Sequence, residues 1–272
     1  LLDGRYRLDA YIGEGGMGRV YAGVDIRLDR KVAIKVMHTE GADATLVERL
    51  FREAKAAART DHPGVVRTFG YGTDIDLNAN YIVMERLRGE NLEQRLLRTG
   101  RMSAEELQRI TLEIADALIA VHELEIVHRD LKPSNVFLAS RGRRVDEVVL
   151  LDFGIAKHLD LLSLTVTGQI FGTLPYMAPE QLRNSKAVDA RCDLYSLGAM
   201  MFECATLQLP YRAPNPVVLV TQHMVAPEPD LASLRPDLPA KLTAVIQRCL
   251  KRDLAERFQN ASAVYTALAT EA

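Results

Sequence analysis

The chain begins with strand-like alternation and ends in helical periodicity. Leu8 to Ile12 and Val20 to Val24 read as two strands, and KVAIKVM, Lys31 to Met37, alternates in a β-branched setting around Ala33 and Lys35. After Gly41 the period becomes that of an amphipathic helix, with Val47, Leu50, Phe51 and Ala54 on one side and Asp43 as its N-cap. His62, Pro63 and Gly64 break this helix, and VVRTFGYG and NYIVMERL supply two more strands. The first part of the chain therefore predicts a small antiparallel sheet of about five strands with one helix. From Ser103 the character changes: SAEEL is a helix-start signature, and Ile114, Ala117, Leu118 and Val121 continue at helical spacing. DARCDLYSLGAMMFECAT and Leu238 to Leu250 predict further helices, separated by the loop-forming PYRAPNPV and APEPDLASLRPDLP.

At 272 residues the chain is long enough for one large domain or two packed lobes. Its formal net charge of −2 gives no reason to expect a nucleic-acid surface, which would need a basic excess to meet phosphates. Cys192, Cys204 and Cys249 are odd in number and far apart, so neither a disulfide framework nor a zinc knuckle fits them. A reducing, cytoplasmic setting is the expectation. The most apolar long stretch, Leu194 to Leu209, contains Glu203 and is too short for a bilayer, so no membrane contact is expected of this segment. The start at Leu1 rather than Met suggests a piece of a longer protein, whose other parts could include an anchor.

Five groups of residues carry candidate chemistry. Gly13, Gly15, Gly16 and Gly18, with Glu14 and Met17 between them, join the first two strands, and such a loop lets backbone N–H groups approach phosphates closely. The same glycines would also make a flexible hairpin; a dinucleotide fold is disfavoured because a strand, not a helix, follows them. Lys35 would face inward and need an anion, or lie at a sheet edge with its ammonium in water. Glu53 falls on the line of Leu46, Leu50 and Ala57, where a carboxylate reaches a neighbouring strand's lysine or is simply solvated. Met84 and the backbone from Glu85 to Leu87 would meet a flat heterocycle, or serve as core and linker. Finally, Asp130, Asn135 and Asp152 each follow a short apolar run, which outlines a metal and phosphate site along one edge.

In order, GEGGMGRV, VAIK, a helix with Glu53, HRDLKPSN, DFG, APE and DLYSLG resemble the protein kinase catalytic domain over essentially the whole chain. GGMGRVY and AERFQNA look most like the bacterial eukaryotic-like Ser/Thr kinases. The resemblance implies an α+β, bilobal fold: residues 1–87 as a small lobe of antiparallel sheet plus one helix, and 88–272 as a larger, mainly helical lobe. It implies ATP held by Ile12, Gly13, Glu14, Gly15, Gly16, Met17, Gly18, Val20, Ala33, Lys35, Met84, Glu85 and Leu87. Glu53 would orient Lys35 on the phosphates, and Asn135 and Asp152 would hold Mg²⁺, with Mn²⁺ as the substitute. Asp130 would take or orient the proton of the acceptor hydroxyl, and Lys132 would neutralise the transferring phosphoryl group. Thr173 resembles the threonine that joins these two in Ser/Thr kinases, and LKPSN points to Ser or Thr in protein substrates as acceptor.

The resemblance also implies regulation. Thr165 and Thr167 align with paired activation-loop threonines, and phosphates there would find Arg129 and Lys157. Autophosphorylation in trans and a dimer through the first lobe are expected on the same ground. Glu180 with Arg257, and Asp193 with the backbone near His128 and Arg129, are implied as structural pairs. Three features depart from the pattern: Tyr195 where many relatives have Trp, the basic connector SRGRRVDE, read as a solvated loop, and the apolar run LDLLSLTV. A catalytically dead module would be favoured by loss of Lys35, Asp130, Asn135 or Asp152, all of which are present. A small-molecule kinase of similar fold would usually lack APE and the Thr173 region.

Overall fold

The computed structural model describes residues 1–15, 18–37, 51, 54–55, 58–142, 144–152, 172–183 and 188–270. Five strands build the first sheet: β1 Tyr6–Gly15, β2 Gly18–Asp25, β3 Arg30–Met37, β4 Thr68–Asp74 and β5 Ala79–Glu85, in the antiparallel order β1-β2-β3-β5-β4. Period-two alternation on β3 sorts its side chains. Val32 and Ile34 join Leu2, Tyr6, Tyr81 and Val83 in one core, while Met37 packs with Ala54 and Ile82 in another. Ala33 and Lys35 share the Met37 face, opposite Met84 and Ile82 in register.

The first two strands run further than the pattern predicts, because the glycine-rich stretch itself pairs: Gly13 opposes Val20, Glu14 opposes Arg19 and Gly15 opposes Gly18. Gly18 is required by this sheet, since a Cβ there would collide with the carbonyl oxygen of Val36. The strand predicted from Val65 begins only at Thr68. Val65 and Val66 are drawn into apolar clusters of the second lobe instead, and Val65 forms a parallel bridge with Leu150.

The connector expected as a solvated loop is a hairpin. β6 Gly89–Asn91, β7 Val136–Arg141 and β8 Arg144–Leu150 form a second antiparallel sheet, turned at Gly142 with φ +65°. Arg95, on α1 Leu92–Thr99, fixes this hairpin through an ion pair of 2.7 Å to Asp146, and it also meets Glu90 and Glu106.

The helix expected after Gly41 lies largely outside the described residues; among those described, the remaining helices are α2 Ala104–His122, α3 Pro179–Arg183, α4 Arg191–Thr206, α5 Pro216–Val225, α6 Leu231–Leu234, α7 Ala240–Cys249 and α8 Ala261–Ala269. Ser103 caps α2 by accepting from the Glu106 amide at 3.2 Å, and Leu107, Ile110, Ile114, Leu118 and Val121 form its buried stripe. α4 is buried nearly all round, which suits a central helix of a large lobe. Cys192, Cys204 and Cys249 are free thiols within this core. Among the described residues no helix is long and apolar enough to cross a membrane.

Tyr195, the departure in DLYSLG, is fully buried, with its hydroxyl 3.1 Å from His223 Nδ1. The Tyr211 ring lies 4.9 Å from the same imidazole. Burial and then the charge of Arg252 hold the His223 pKa down, to about 4, so the fold keeps this ring neutral. The unfolded chain takes up a proton near pH 6.5. Stability from this site is therefore complete above that pH and is lost as pH falls toward 4, by up to about 1.4 kcal/mol per pH unit. In urea unfolding at stepped pH, His223→Gln is expected to remove this part of the slope; a wild-type-minus-variant difference independent of pH would refute it.

Candidate active site

The loop between α2 and β7 owes its shape to one carboxylate of α4. Asp193 is fully buried; its Oδ2 accepts from the His128 amide at 2.8 Å and its Oδ1 from the Arg129 amide at 2.7 Å. His122 Nε2 lies 2.9 Å from Oδ2. Burial alone would raise this carboxyl, yet the bonds to His122 and the loop leave it below the usual carboxylate range. Held this way, Arg129 takes up the left-handed conformation at φ +61°. His128 is also buried, which lowers its pKa, and its Nε2 reaches the carbonyl of Leu151, just past β8, at 2.9 Å. Its Nδ1 accepts from the Asp130 amide at 3.3 Å.

The loop thus presents Asp130 beside two partners. Thr173 donates its hydroxyl to Asp130 Oδ1 at 3.2 Å and accepts from Lys132 Nζ at 3.0 Å, while Lys132 Nζ lies 3.4 Å from Asp130 Oδ2. Thr173 is buried although it comes from a segment 43 residues further along the chain. Asn135 donates its Nδ2 to the Asp130 carbonyl at 2.8 Å, so its Oδ1, an acceptor, is the end of the amide that could meet a cation. Leu151 donates its amide to the Asn135 carbonyl at 2.9 Å, so the strand that delivers Asp152 is tied to the same loop.

Asp152 lies at φ +42°, and its Oδ2 is 2.8 Å from the Nζ of Lys35, across from the first sheet. Among the described residues this is the ion pair that Lys35 makes; Glu53, its expected partner, lies outside them. Gly16, Met17, Lys157, Thr165 and Thr167 lie outside them as well. Ala33 is buried opposite Met84, Val20 faces Lys35 in register, and Ile12 and Glu14 are exposed on β1. Among the described residues nothing lies within 4 Å of where a Cβ on Gly13 would sit. Met84 and Leu87 pack, with Phe137, against an apolar cluster of Val66, Ala139 and Val149.

Three side chains of this arrangement escape the sequence reading. His122 is six residues before His128 and meets Asp193 only because α4 crosses α2 there. Phe137 reads as an ordinary strand residue until β7 is placed under the linker. Gln181 donates its Nε2 to the Arg129 carbonyl at 3.2 Å, a contact over 52 residues that no local pattern signals.

The protein kinase domain family matches residues 6–268. This chain belongs to that family. The kinase domain is 37% identical over 264 residues to the serine/threonine-protein kinase PknA of Mycobacterium tuberculosis, covering 95% of this chain and 59% of that protein. It is 39% identical over 271 residues to the serine/threonine-protein kinase PksC of Streptomyces coelicolor, covering 97% of this chain and 48% of that protein. A probable serine/threonine-protein kinase, pknA2 of Bifidobacterium longum, is 38% identical over 94% of this chain and 34% of its own length. The chain thus spans roughly a third to three fifths of these curated relatives. Among solved structures, the Mycobacterium tuberculosis PknI kinase domain superposes with a TM-score of 0.76 at 27% identity, covering 98% of this chain and 96% of that one. The fold is accordingly the α+β kinase fold, with an antiparallel sheet in the N-lobe and a helical C-lobe.

The family implies use of ATP and a divalent metal. The donor set fits a hard cation: a carboxylate at Asp152 and an amide oxygen at Asn135, both near the catalytic loop. Among the described residues no group of three or more His, Cys, Asp or Glu gathers. Two protein ligands suit a cation such as Mg²⁺, which keeps waters and phosphate oxygens for the rest of its shell.

Proposed function

We propose that this kinase domain transfers the γ-phosphoryl group of ATP to serine and threonine hydroxyls of proteins. The observation that carries the reading is the bridge by which the Thr173 hydroxyl joins Asp130 to Lys132. It aims a carboxylate and an ammonium at one spot, as phosphoryl transfer requires, since that reaction asks for positioning and charge neutralisation more than for covalent work. The acceptor oxygen would bond to the γ-phosphorus as the bond from that phosphorus to the β–γ bridging oxygen breaks, and ADP would leave. Asp130 would orient the hydroxyl and take its proton; Lys132 would balance charge on the transferred group.

Lys35 would hold the α and β phosphates, with Glu53 to orient it. Asn135 and Asp152 would hold the metal, Mg²⁺ by preference and Mn²⁺ as a substitute, which would supply charge neutralisation to the phosphates. The hairpin of Ile12, Gly13, Glu14, Gly15, Gly16, Met17, Gly18 and Val20 would cover the phosphates. Ala33, Met84, Glu85 and Leu87 would receive the adenine, near the division between lobes at 87 and 88. Phosphorylation of Thr165 and Thr167 in trans by a second copy, read out by Arg129 and Lys157, would switch the domain on. Pairing of two N-lobes would bring the copies together. The setting would be the cytoplasm, where ATP is available.

The test is incubation of the purified protein with ATP, either metal and a generic basic protein, followed by mapping of modified residues by mass spectrometry. Phosphoserine and phosphothreonine on the added protein, and on Thr165 and Thr167, are the expected products. No transfer with either metal would leave a nucleotide-binding module without catalysis, and full activity of a phosphatase-treated Thr165→Ala, Thr167→Ala double variant would remove the switch alone.

A further inference from the structure

One cation outside the catalytic loop grips the linker between the lobes. Arg141 ends β7 where the β7–β8 register shifts, immediately before the turn at Gly142. Its guanidinium donates through Nη2 to Glu85 Oε1 at 2.7 Å and through Nη1 to the Pro63 carbonyl at 2.8 Å. Glu85 Oε1 also accepts from the Arg67 amide at 3.0 Å, and the Glu85 amide donates to the Arg67 carbonyl at 2.9 Å. A single planar fork on the C-lobe therefore holds two points of the N-lobe, a geometry that a guanidinium supplies with little loss of freedom. The side chains of Arg141 and Glu85 are 31% and 23% exposed, so water screens the pair only in part.

The other end of the linker is fixed to the same strand. Ser140 donates its amide to the Arg88 carbonyl at 2.7 Å, and Gly89 pairs with Ala139. Residues 85–89 thus span between two anchors on β7, one made by backbone and one by the Arg141 side chain. The backbone anchor belongs to any sequence with this pairing; the side-chain anchor depends on Arg141 and Glu85.

We propose that Arg141 is a positioning residue for nucleotide, acting through Glu85 to fix the backbone of residues 85–87 against which the adenine lies. This rests on the kinase reading above. A linker left free would have to be ordered at the moment of binding, and that ordering is subtracted from affinity. Loss of the grip therefore weakens nucleotide binding and leaves the chemical step, which occurs on the catalytic loop, nearly unchanged.

The test is calorimetric titration of the purified chain with ADP and Mg²⁺, together with steady-state kinetics. Arg141→Ala is expected to raise the Kd for ADP and the KM for ATP about 10-fold, the scale of a hydrogen bond to a charged group, with kcat within about twofold. Arg141→Lys is expected to recover part of the affinity, because an ammonium reaches Glu85 without also serving Pro63. Combining Arg141→Ala with Glu85→Ala is expected to cost no more than the worse single change. Arg144→Ala, on the same hairpin but 81% exposed and paired with Glu147, is expected to change nothing. An Arg141→Ala protein that binds ADP within about twofold of wild type overturns the proposal, as do additive losses in the double variant or equal loss in Arg144→Ala. A wild-type chain that binds no adenine nucleotide overturns the kinase reading and this proposal together.

Discussion

Asp130→Asn is expected to lower kcat for phosphoryl transfer about 10²- to 10⁴-fold, the range over which a positioned base contributes, while the Kd for ADP stays within a few-fold of wild type. The separation follows from where Asp130 sits. Its carboxylate meets Thr173 and Lys132 on the acceptor side of the loop, and its backbone carbonyl takes the Asn135 amide. The asparagine keeps the shape, can still accept from Thr173, and retains the backbone bond that sets Asn135. What it lacks is charge, to hold Lys132 and to receive a proton. Single-turnover measurement with saturating ATP and a serine-containing substrate isolates this step, and a variant retaining more than about a tenth of the wild-type rate would contradict the assigned role.

The second large effect concerns stability. Arg257 is fully buried and donates to both oxygens of Glu180, at 2.6 and 3.2 Å, as well as to the carbonyls of Lys251 and Arg191, each at 2.9 Å. Glu180→Ala strands this cation, and the expected cost is about 3 to 5 kcal/mol, on the order of a 10 °C fall in Tm for a chain of this size. Arg257→Met should cost less, because the Glu180 side chain is 19% exposed and can turn toward water. Differential scanning calorimetry orders the two variants, and equal losses would show that the penalty lies in packing rather than in an uncompensated charge. The pair bears on function as well as stability: Glu180 lies on α3, whose neighbour Gln181 donates to the carbonyl of Arg129.

Much of this architecture is written in local periodicity. β3 and β5 are short runs rich in β-branched and other apolar residues, each buried over four consecutive positions, α2 carries both its cap and its apolar stripe, and the spacing of Asp130, Asn135 and Asp152 outlines a shared site. Local signals fail where a residue answers to a distant partner. Val65 and Val66 have strand-forming side chains, yet the C-lobe core claims them. The polar stretch after Ala139 looks solvated because its long-range partners are far away in sequence: Asp146 pairs with Arg95, Arg141 with Glu85, and the Val148 amide donates to Glu113. Thr173 was legible through resemblance to a family, since a threonine followed by Leu174 and Pro175 carries no chemistry by itself. Arg141 and His122 had no signal of either kind: an arginine in a basic connector and a histidine at a helix end acquire their roles from register and helix crossing.

The anchorage of the catalytic loop on Asp193 has a consequence for how the molecule breathes. Loops that carry chemistry are often among the first segments to open in the native state, because few buried contacts oppose them. Here the amides of His128 and Arg129 end on a carboxylate seated in the most deeply buried helix of the C-lobe. These amides are therefore expected to open with that helix rather than with the surface loops, despite the irregular backbone around them. Amide exchange at His128 and Arg129 is expected to follow the stability of the helical core rather than the length or composition of the loop.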